Sequence, residues 1–293
     1  MLSESALMDY LQEPLESHVG YQLRRAAILI QADLTMALKT LNLNPSEASI
    51  LLVLAEKKDV IQMDLSYLLG IKRTNISPMV VGLEKCGLLS RASLDGRSQY
   101  VNLTKQGDNL IPKILLCLEK HAENCFSTLS IKDISVLGNA LNHTQGLLDP
   151  KVVNSEKNSA YQQLSFLIIR TSSLAMSKLV KDLALLDLIP TNASAMMMIF
   201  NNPGINQSNL GRRLGIKRAN ISTLVSELKA RELVNTQVKG RTQKLSLSEA
   251  GLSLVKLIAR KFEQHERYCF AHINEPKKIS GLLLAIREQL AKK

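Results

Sequence analysis

Residues 72–78, Lys-Arg-Thr-Asn-Ile-Ser-Pro, gather side chains suited to reading the edges of bases. Lys72 or Arg73 can pair with guanine, Asn75 with adenine, and the hydroxyls of Thr74 and Ser77 with bases or phosphate. One good bidentate contact discriminates by roughly 1–3 kcal/mol. The same chemistry returns 145 residues later in Lys217, Arg218, Asn220, Ser222 and Thr223, where Thr223 stands in place of Pro78. A second basic group follows each set. Arg91 and Arg97 follow the first, with Asp95 placed to orient Arg97; Lys239 and Arg241 follow the second. An arginine beside a hairpin glycine, as Arg97 and Arg241 are, can enter a minor groove or grip phosphate. The competing reading of all these positions is a solvated polar face with capping hydroxyls.

Such residues read a duplex only when a helix carries them into its major groove. Gly70 marks the end of a short helix over 63–69, and Thr74 is placed to cap a second that turns Ile76, Met79, Val80 and Leu83 inward and stops at Gly87. Residues 88–93 and 98–103 then read as strands around Asp95-Gly96, a hairpin signal. Helix, turn, helix and hairpin together make a winged helix. Upstream, apolar residues recur at threes and fours from Pro14 for some 28 residues as a long first helix. Asn44-Pro45-Ser46-Glu47 caps the next, which runs to about Glu56. Downstream, Thr104 caps a long helix to about Ser127, and a last helix runs from Ser130 through Leu141. Pro78 is expected to cost its helix little, and Gly82 up to about 1 kcal/mol relative to Ala.

Everything in this unit is present twice. Over 69–89 and 214–234, eleven of 21 positions are identical, and beyond the motif the pairing continues as Tyr21 with Phe166, Arg25 with Arg170 and Pro45 with Pro190. The fold class expected is mainly α with small β-hairpin wings, in two tandem winged helix-turn-helix domains. Residues 1–145 are copy one, 146–159 a polar linker and 160–293 copy two. The copies differ in charge. Residues 1–150 hold 14 Lys/Arg against 16 Asp/Glu (−2) and residues 151–293 hold 23 against 10 (+13), which together give the net +11. A basic excess beside a groove-reading motif points to phosphate.

Other constellations carry less. His121 with Cys125 and His265 with Cys269 are matching i, i+4 pairs that could converge as a zinc or redox site, or else are inherited packing. Met196-Met197-Met198 reads as the buried face of a helix, and Cys86 sits beside the reading helix. The four cysteines are scattered, as reduced thiols in a cytoplasmic protein would be. No apolar run nears the roughly 18–20 residues of a membrane span, and the first residues form no signal peptide. No phosphate-cradling loop or nucleophile with its base is present, so no enzyme and no cofactor are expected.

These motifs resemble the MarR family of bacterial transcriptional regulators: Leu69-Gly70-Ile71-Lys72-Arg73 into Ser77, Leu83 to Leu89, Asp95-Gly96-Arg97, and Leu103-Thr104-Lys105-Gln106-Gly107. In copy two the pieces are 214–222, Leu228, Leu233-Val234, Gly240-Arg241 and 247–251. The resemblance implies a domain that pairs through its first and last helices, binds near-palindromic double-stranded DNA, usually as a repressor, and often takes a phenolic or lipophilic small-molecule effector between its helices. Family members are usually homodimers of one-copy chains. This chain, with both copies, is similar to the two-domain members of the Sar group, and is expected to act as a monomeric pseudo-dimer reading an imperfect inverted repeat. The alternatives are an architectural DNA-binding protein of little sequence specificity and a winged-helix protein-interaction module.

Overall fold

The computed structural model describes residues 4–69, 71, 73–93, 99–149, 160–239 and 242–292. The chain opens with α1 (Glu4–Gln12), which the sequence reading did not anticipate. The first long helix starts later than Pro14: a single 3-10 turn over Leu15–Ser17 comes first, then α2 (Val19–Leu38) and another 3-10 turn, Lys39–Leu41. In α3 (Pro45–Glu56), the Asn44 side chain accepts from the Glu47 N–H at 3.0 Å while the Glu47 carboxylate accepts from the Asn44 N–H at 2.9 Å. Such a reciprocal cap contributes about 1 kcal/mol.

Next come β1 (Val60–Ile61), α4 (Gln62–Leu69), α5 (Arg73–Lys85), β2 (Leu89–Ser93) and β3 (Gln99–Leu103). Two differences from the sequence reading concern α5. It begins at Arg73, so Thr74 lies inside it rather than capping it, and Pro78 is its sixth residue. Beyond the first four positions a proline removes an intrahelical donor, here the partner of the Thr74 carbonyl, so its cost is larger than expected. After β3, Thr104 accepts from Gly107 N–H at 3.1 Å and starts α6 (Lys105–Asp108), which gives way to α7 (Ile111–Cys125). The single long helix expected here is broken because Pro112 cannot donate and its ring crowds the carbonyl four residues back. Ser130 caps α8 (Ile131–Leu148), which runs well past Leu141; residues 146–148, expected as the start of the linker, are helix.

Copy two follows the same order: α9 (Ala160–Ala184), α10 (Pro190–Asn201), β4 (Ile205–Asn206), α11 (Gln207–Leu214), α12 (Arg218–Ala230), β5 (Val234–Lys239), β6 (Thr242–Leu247), α13 (Glu249–Phe270) and α14 (Pro276–Ala291). Lys256 stands where copy one has Pro112, and α13 is continuous. α10 has Ile189 where α3 has its capping Asn44 and makes no side-chain cap; Met196, Met197 and Met198 are each wholly buried, and that burial holds the helix instead.

Each wing is a three-stranded antiparallel sheet, ordered β1-β3-β2 in copy one and β4-β6-β5 in copy two. Val60 faces Val101 and Ile205 faces Leu245 across the added two-residue strands, which are too short to show any periodicity in sequence. The sheet is locked to the next helix by a glycine. A Cβ at Gly107 would run into the Leu88 carbonyl, and one at Gly251 into the Leu233 carbonyl.

The chain divides into two compact units that cut across the repeat. One comprises residues 1–25 and 175–281, the other 26–174 and 282–293. In the first, Leu7, Leu11 and Leu15 of copy one pack into a core with Leu183, Met196, Met197, Leu210, Val225, Leu228, Val255 and Ile258 of copy two. In the second, Leu38, Ile50, Leu51, Leu65, Ile76, Val80, Leu89, Val101 and Ile114 form the other core. Residues 150–159, expected as linker, lie outside the described residues.

Candidate nucleic-acid interface

Each recognition helix has one buried and one open face. α5 turns Ile76, Val80 and Leu83 into its core, and α12 turns in Ile221, Leu224, Val225 and Leu228. On the other side Arg73, Thr74, Asn75 and Pro78 are exposed, as are Arg218, Asn220, Ser222 and Thr223. The two helices therefore present matching Arg and Asn side chains to solvent. Lys217 is exposed at the N-cap of α12, where it makes no side-chain cap and leaves the helix N-terminus open to an anion.

The turn before α12 is well defined. Gly215 is left-handed (φ 68°), its N–H donates to Arg212 O at 3.3 Å, and Ile216 N–H returns to Gly211 O at 2.8 Å. This double closure ends α11 and aims α12. Two sequence-predicted residues are committed elsewhere in the fold. Ser77 is half-buried and its hydroxyl accepts from Gln62 Nε2 at 2.9 Å, so it braces α5 against α4. Arg91 donates through Nε to Glu84 Oε2 at 2.9 Å, through Nη2 to the same oxygen at 2.5 Å, and to Gln99 Oε1 at 3.2 Å. It ties the wing to α5. The hydrogen bond from Arg91 holds the Glu84 carboxyl below its ordinary range and raises the guanidinium in turn.

Lys72, Asp95, Arg97 and Arg241 lie outside the described residues; Lys239 ends β5, and its side chain does too.

Comparing the copies position by position adds residues that motif reading missed. Arg212, Arg213, Lys229 and Lys244 are exposed in copy two, where copy one has Tyr67, Leu68, Glu84 and Tyr100. Arg212 donates to Asn209 Oδ1 at 2.6 Å and Arg213 to Glu16 at 3.1 Å, while Lys244 lies in the central strand β6 opposite Gln237 and Asn206. Lys229 replaces the acid that holds Arg91, and Thr236 replaces Arg91 itself, so the wing tether exists in copy one alone of the two.

The His/Cys pairs have structural partners. His121 Nδ1 lies 2.8 Å from Asp33 Oδ2. His265 lies 3.7 Å from Asp182, whose carboxylate is taken by Lys178 at 2.5 and 2.6 Å, and 3.7 Å from Cys269 Sγ. Burial outweighs the distant Asp182 and pushes His265 down to about 4; burial, helped by Glu266, pushes the Cys269 thiol up to about 12. Among the described residues, no group of three or more His, Cys, Asp or Glu is placed to hold a metal ion.

A helix-turn-helix followed by a three-stranded wing, found in each copy, defines the winged-helix class. Residues 186–242, within copy two, match a family model described as the MarR family. Among solved structures the chain is similar to a MarR-family transcriptional regulator from Rhodococcus sp. RHA1 (22% identity, 48% of this chain and 99% of that one, TM-score 0.43). It is similar also to Staphylococcus aureus MepR in complex with DNA (17% identity, 44% and 94%, TM-score 0.39). A third is CouR of Rhodococcus jostii RHA1 bound to p-coumaroyl-CoA (20% identity, 43% and 87%, TM-score 0.37). No curated protein matches the chain. No helix among the described residues is long and apolar enough to cross a membrane.

Proposed function

We propose that this protein is a sequence-specific, double-stranded-DNA-binding transcriptional regulator of the cytoplasm, acting as a repressor and not as an enzyme. The observation that carries the reading is the repeated exposure of Arg73 with Asn75 on α5 and Arg218 with Asn220 on α12, each on a helix whose opposite face is buried. Arg and Asn at a helix start are the pair that reads guanine and adenine in a major groove. The MarR-family match over 186–242 supports the assignment.

In this reading, residues 1–145 and 160–293 act as the two halves of an intramolecular pseudo-dimer, one winged helix per half-site of an imperfect inverted repeat. Tethering makes assembly independent of concentration and lets the halves diverge. The charge difference of −2 over residues 1–150 against +13 over residues 151–293 supports divergence: copy two supplies most of the phosphate affinity, copy one proportionally more of its binding as base contacts. A small-molecule effector of the lipophilic or phenolic kind would set the DNA affinity, as the match of residues 186–242 to the MarR family suggests.

The test is enrichment of binding sites from a random DNA pool at two salt concentrations, with the mass of the complex measured by light scattering. One chain on an imperfect inverted repeat is the expected result. Salt-steep binding without enrichment would instead make the protein architectural, the reading favoured by the basic excess of copy two, and failure to bind DNA would make it a protein-interaction module.

A further inference from the structure

Two arginines 145 residues apart, Arg25 and Arg170, make corresponding contacts, to main-chain carbonyls one position apart in the repeat. Arg25 lies on α2, the first helix of copy one, and its Nη1 donates at 3.2 Å to the main-chain carbonyl of Leu214, the last residue of α11. Arg170 lies on α9, the first helix of copy two, and its Nη1 donates to the main-chain carbonyl of Leu68 in the last turn of α4. The last carbonyls of a helix have no donor within it. Each first helix thus supplies a donor to the turn that aims the recognition helix of the other copy. The positive guanidinium also sits at the negative end of that helix dipole.

The turn around Arg25 is shaped for this contact. Its guanidinium fills the space that a Cβ at Gly215 would need. One turn earlier on α2, the Tyr21 hydroxyl donates to the Arg213 carbonyl at 2.5 Å, and Arg213 reaches back to Glu16 at 3.1 Å. Two successive carbonyls at the end of α11, 213 and 214, are therefore held by side chains of copy one. The other clasp is built differently: Phe166 replaces Tyr21, its ring centroid lies 5.9 Å from the Arg170 guanidinium, and Asp149 lies 3.5 Å from Arg170 Nη2.

Resting on the DNA-reading function proposed above, we infer that Arg25 and Arg170 are positioning residues wired crosswise: Arg25 sets the reading geometry of α12, and Arg170 that of α5. Bidentate pairs between side chains and bases are stricter in geometry than point-charge contacts with phosphate. Loosening a clasp therefore relaxes base discrimination and leaves non-specific binding in place.

The experiment uses the full chain and the site enriched from random DNA. Asn75→Ala and Asn220→Ala first assign each half-site to a recognition helix. Arg25→Ala is then expected to lower discrimination by about tenfold, equivalent to about 1.4 kcal/mol, in the half-site assigned to Asn220. Arg170→Ala does the same in the half-site assigned to Asn75. Low-salt binding to random DNA is unchanged in both. Arg25→Lys restores part of the loss, and Tyr21→Phe, which removes one hydroxyl, gives a smaller loss in the same half-site as Arg25→Ala. In DNA-free protein, hydrogen exchange at the Gly215 and Ile216 amides rises in Arg25→Ala and not in Arg170→Ala. Loss in the half-site of the same copy, equal loss in both, or unchanged exchange overturns the crosswise assignment. Should the wild-type chain enrich no sequence, the DNA-reading function fails, and the exchange rates alone decide whether Arg25 holds the turn.

Discussion

The carboxylate of Glu266, on α13, closes the N-terminus of α2 through Gly20: the Gly20 N–H donates to Oε1 at 3.2 Å and to Oε2 at 3.3 Å. A Cβ at Gly20 would approach Oε2 to 2.8 Å, so the lack of a side chain there makes room for the carboxylate. The counterpart positions are Ser165 and Ala122, and no carboxylate stands at the matching place in the other unit. Burial raises Glu266 to about 7, against the opposing pull of the Gly20 and Val19 amides.

That buried acid sets a pH dependence. Its folded value of about 7 lies above the ordinary 4.5, so between the two the folded state holds a proton the unfolded state has released. Stability is greatest below 4.5 on this account, falls as pH rises to about 7, and levels off above, with a total of about 3 kcal/mol. His265 opposes this over part of the range, so the decline is read as the difference in thermal unfolding between the protein and Glu266→Gln from about pH 5 to about pH 8; an unchanged slope in the variant would refute the assignment.

His265 acts in the opposite sense. Held down at about 4 by burial, it stays neutral in the folded state while the unfolded chain takes up a proton below its ordinary 6.5. Its contribution is fully present above 6.5 and is lost as pH falls toward 4. His265→Gln should therefore lose less stability than the parent between about pH 6.5 and about pH 4, measured by urea unfolding at each pH.

Gly82 can be replaced with gain. It lies inside α5, and an added Cβ would meet open space. Gly82→Ala should stabilise by about 0.5–1 kcal/mol, read as a higher denaturant midpoint at constant slope. A lower midpoint would show that the position is needed as glycine for a reason other than space.

The two wings should differ in their grip on DNA. Copy two adds Lys229 and Lys244 where copy one has Glu84 and Tyr100, and Arg91 of copy one is tied to Glu84. Arg241→Ala is expected to weaken binding more than Arg97→Ala in titrations at fixed salt. Equal losses would mean that the charge excess of copy two does not face phosphate.

Cutting at the repeat boundary should leave copy two unfolded. Leu7, Leu11 and Leu15 are buried in its core, and the Leu11 carbonyl accepts from Asn201 Nδ2 at 2.7 Å. Residues 160–293 alone should show little cooperative melting by circular dichroism, and addition of a peptide of residues 1–25 should restore it. A cooperative transition of full size without the peptide would contradict the packing described.

What could be read from the sequence was local. The cap at Asn44 and the paired strands of the copy-one wing depend on neighbours a few residues apart, and they stand where spacing put them. Failures came where distant residues decide. Helix α1 is short and its apolar face becomes meaningful only against α10 and α13, more than 180 residues onward. The break between α6 and α7 is legible in Pro112, although the apolar period continues through it and hides it.

The exchange of segments also orders events on the ribosome. Residues 26–174 can begin to pack as they emerge, whereas the strip bearing Leu7, Leu11 and Leu15 must wait for partners from 175–281. During synthesis at about 5–20 residues per second, that strip stays exposed for on the order of ten seconds or more. It is a short amphipathic segment, open meanwhile to whatever holds nascent chains.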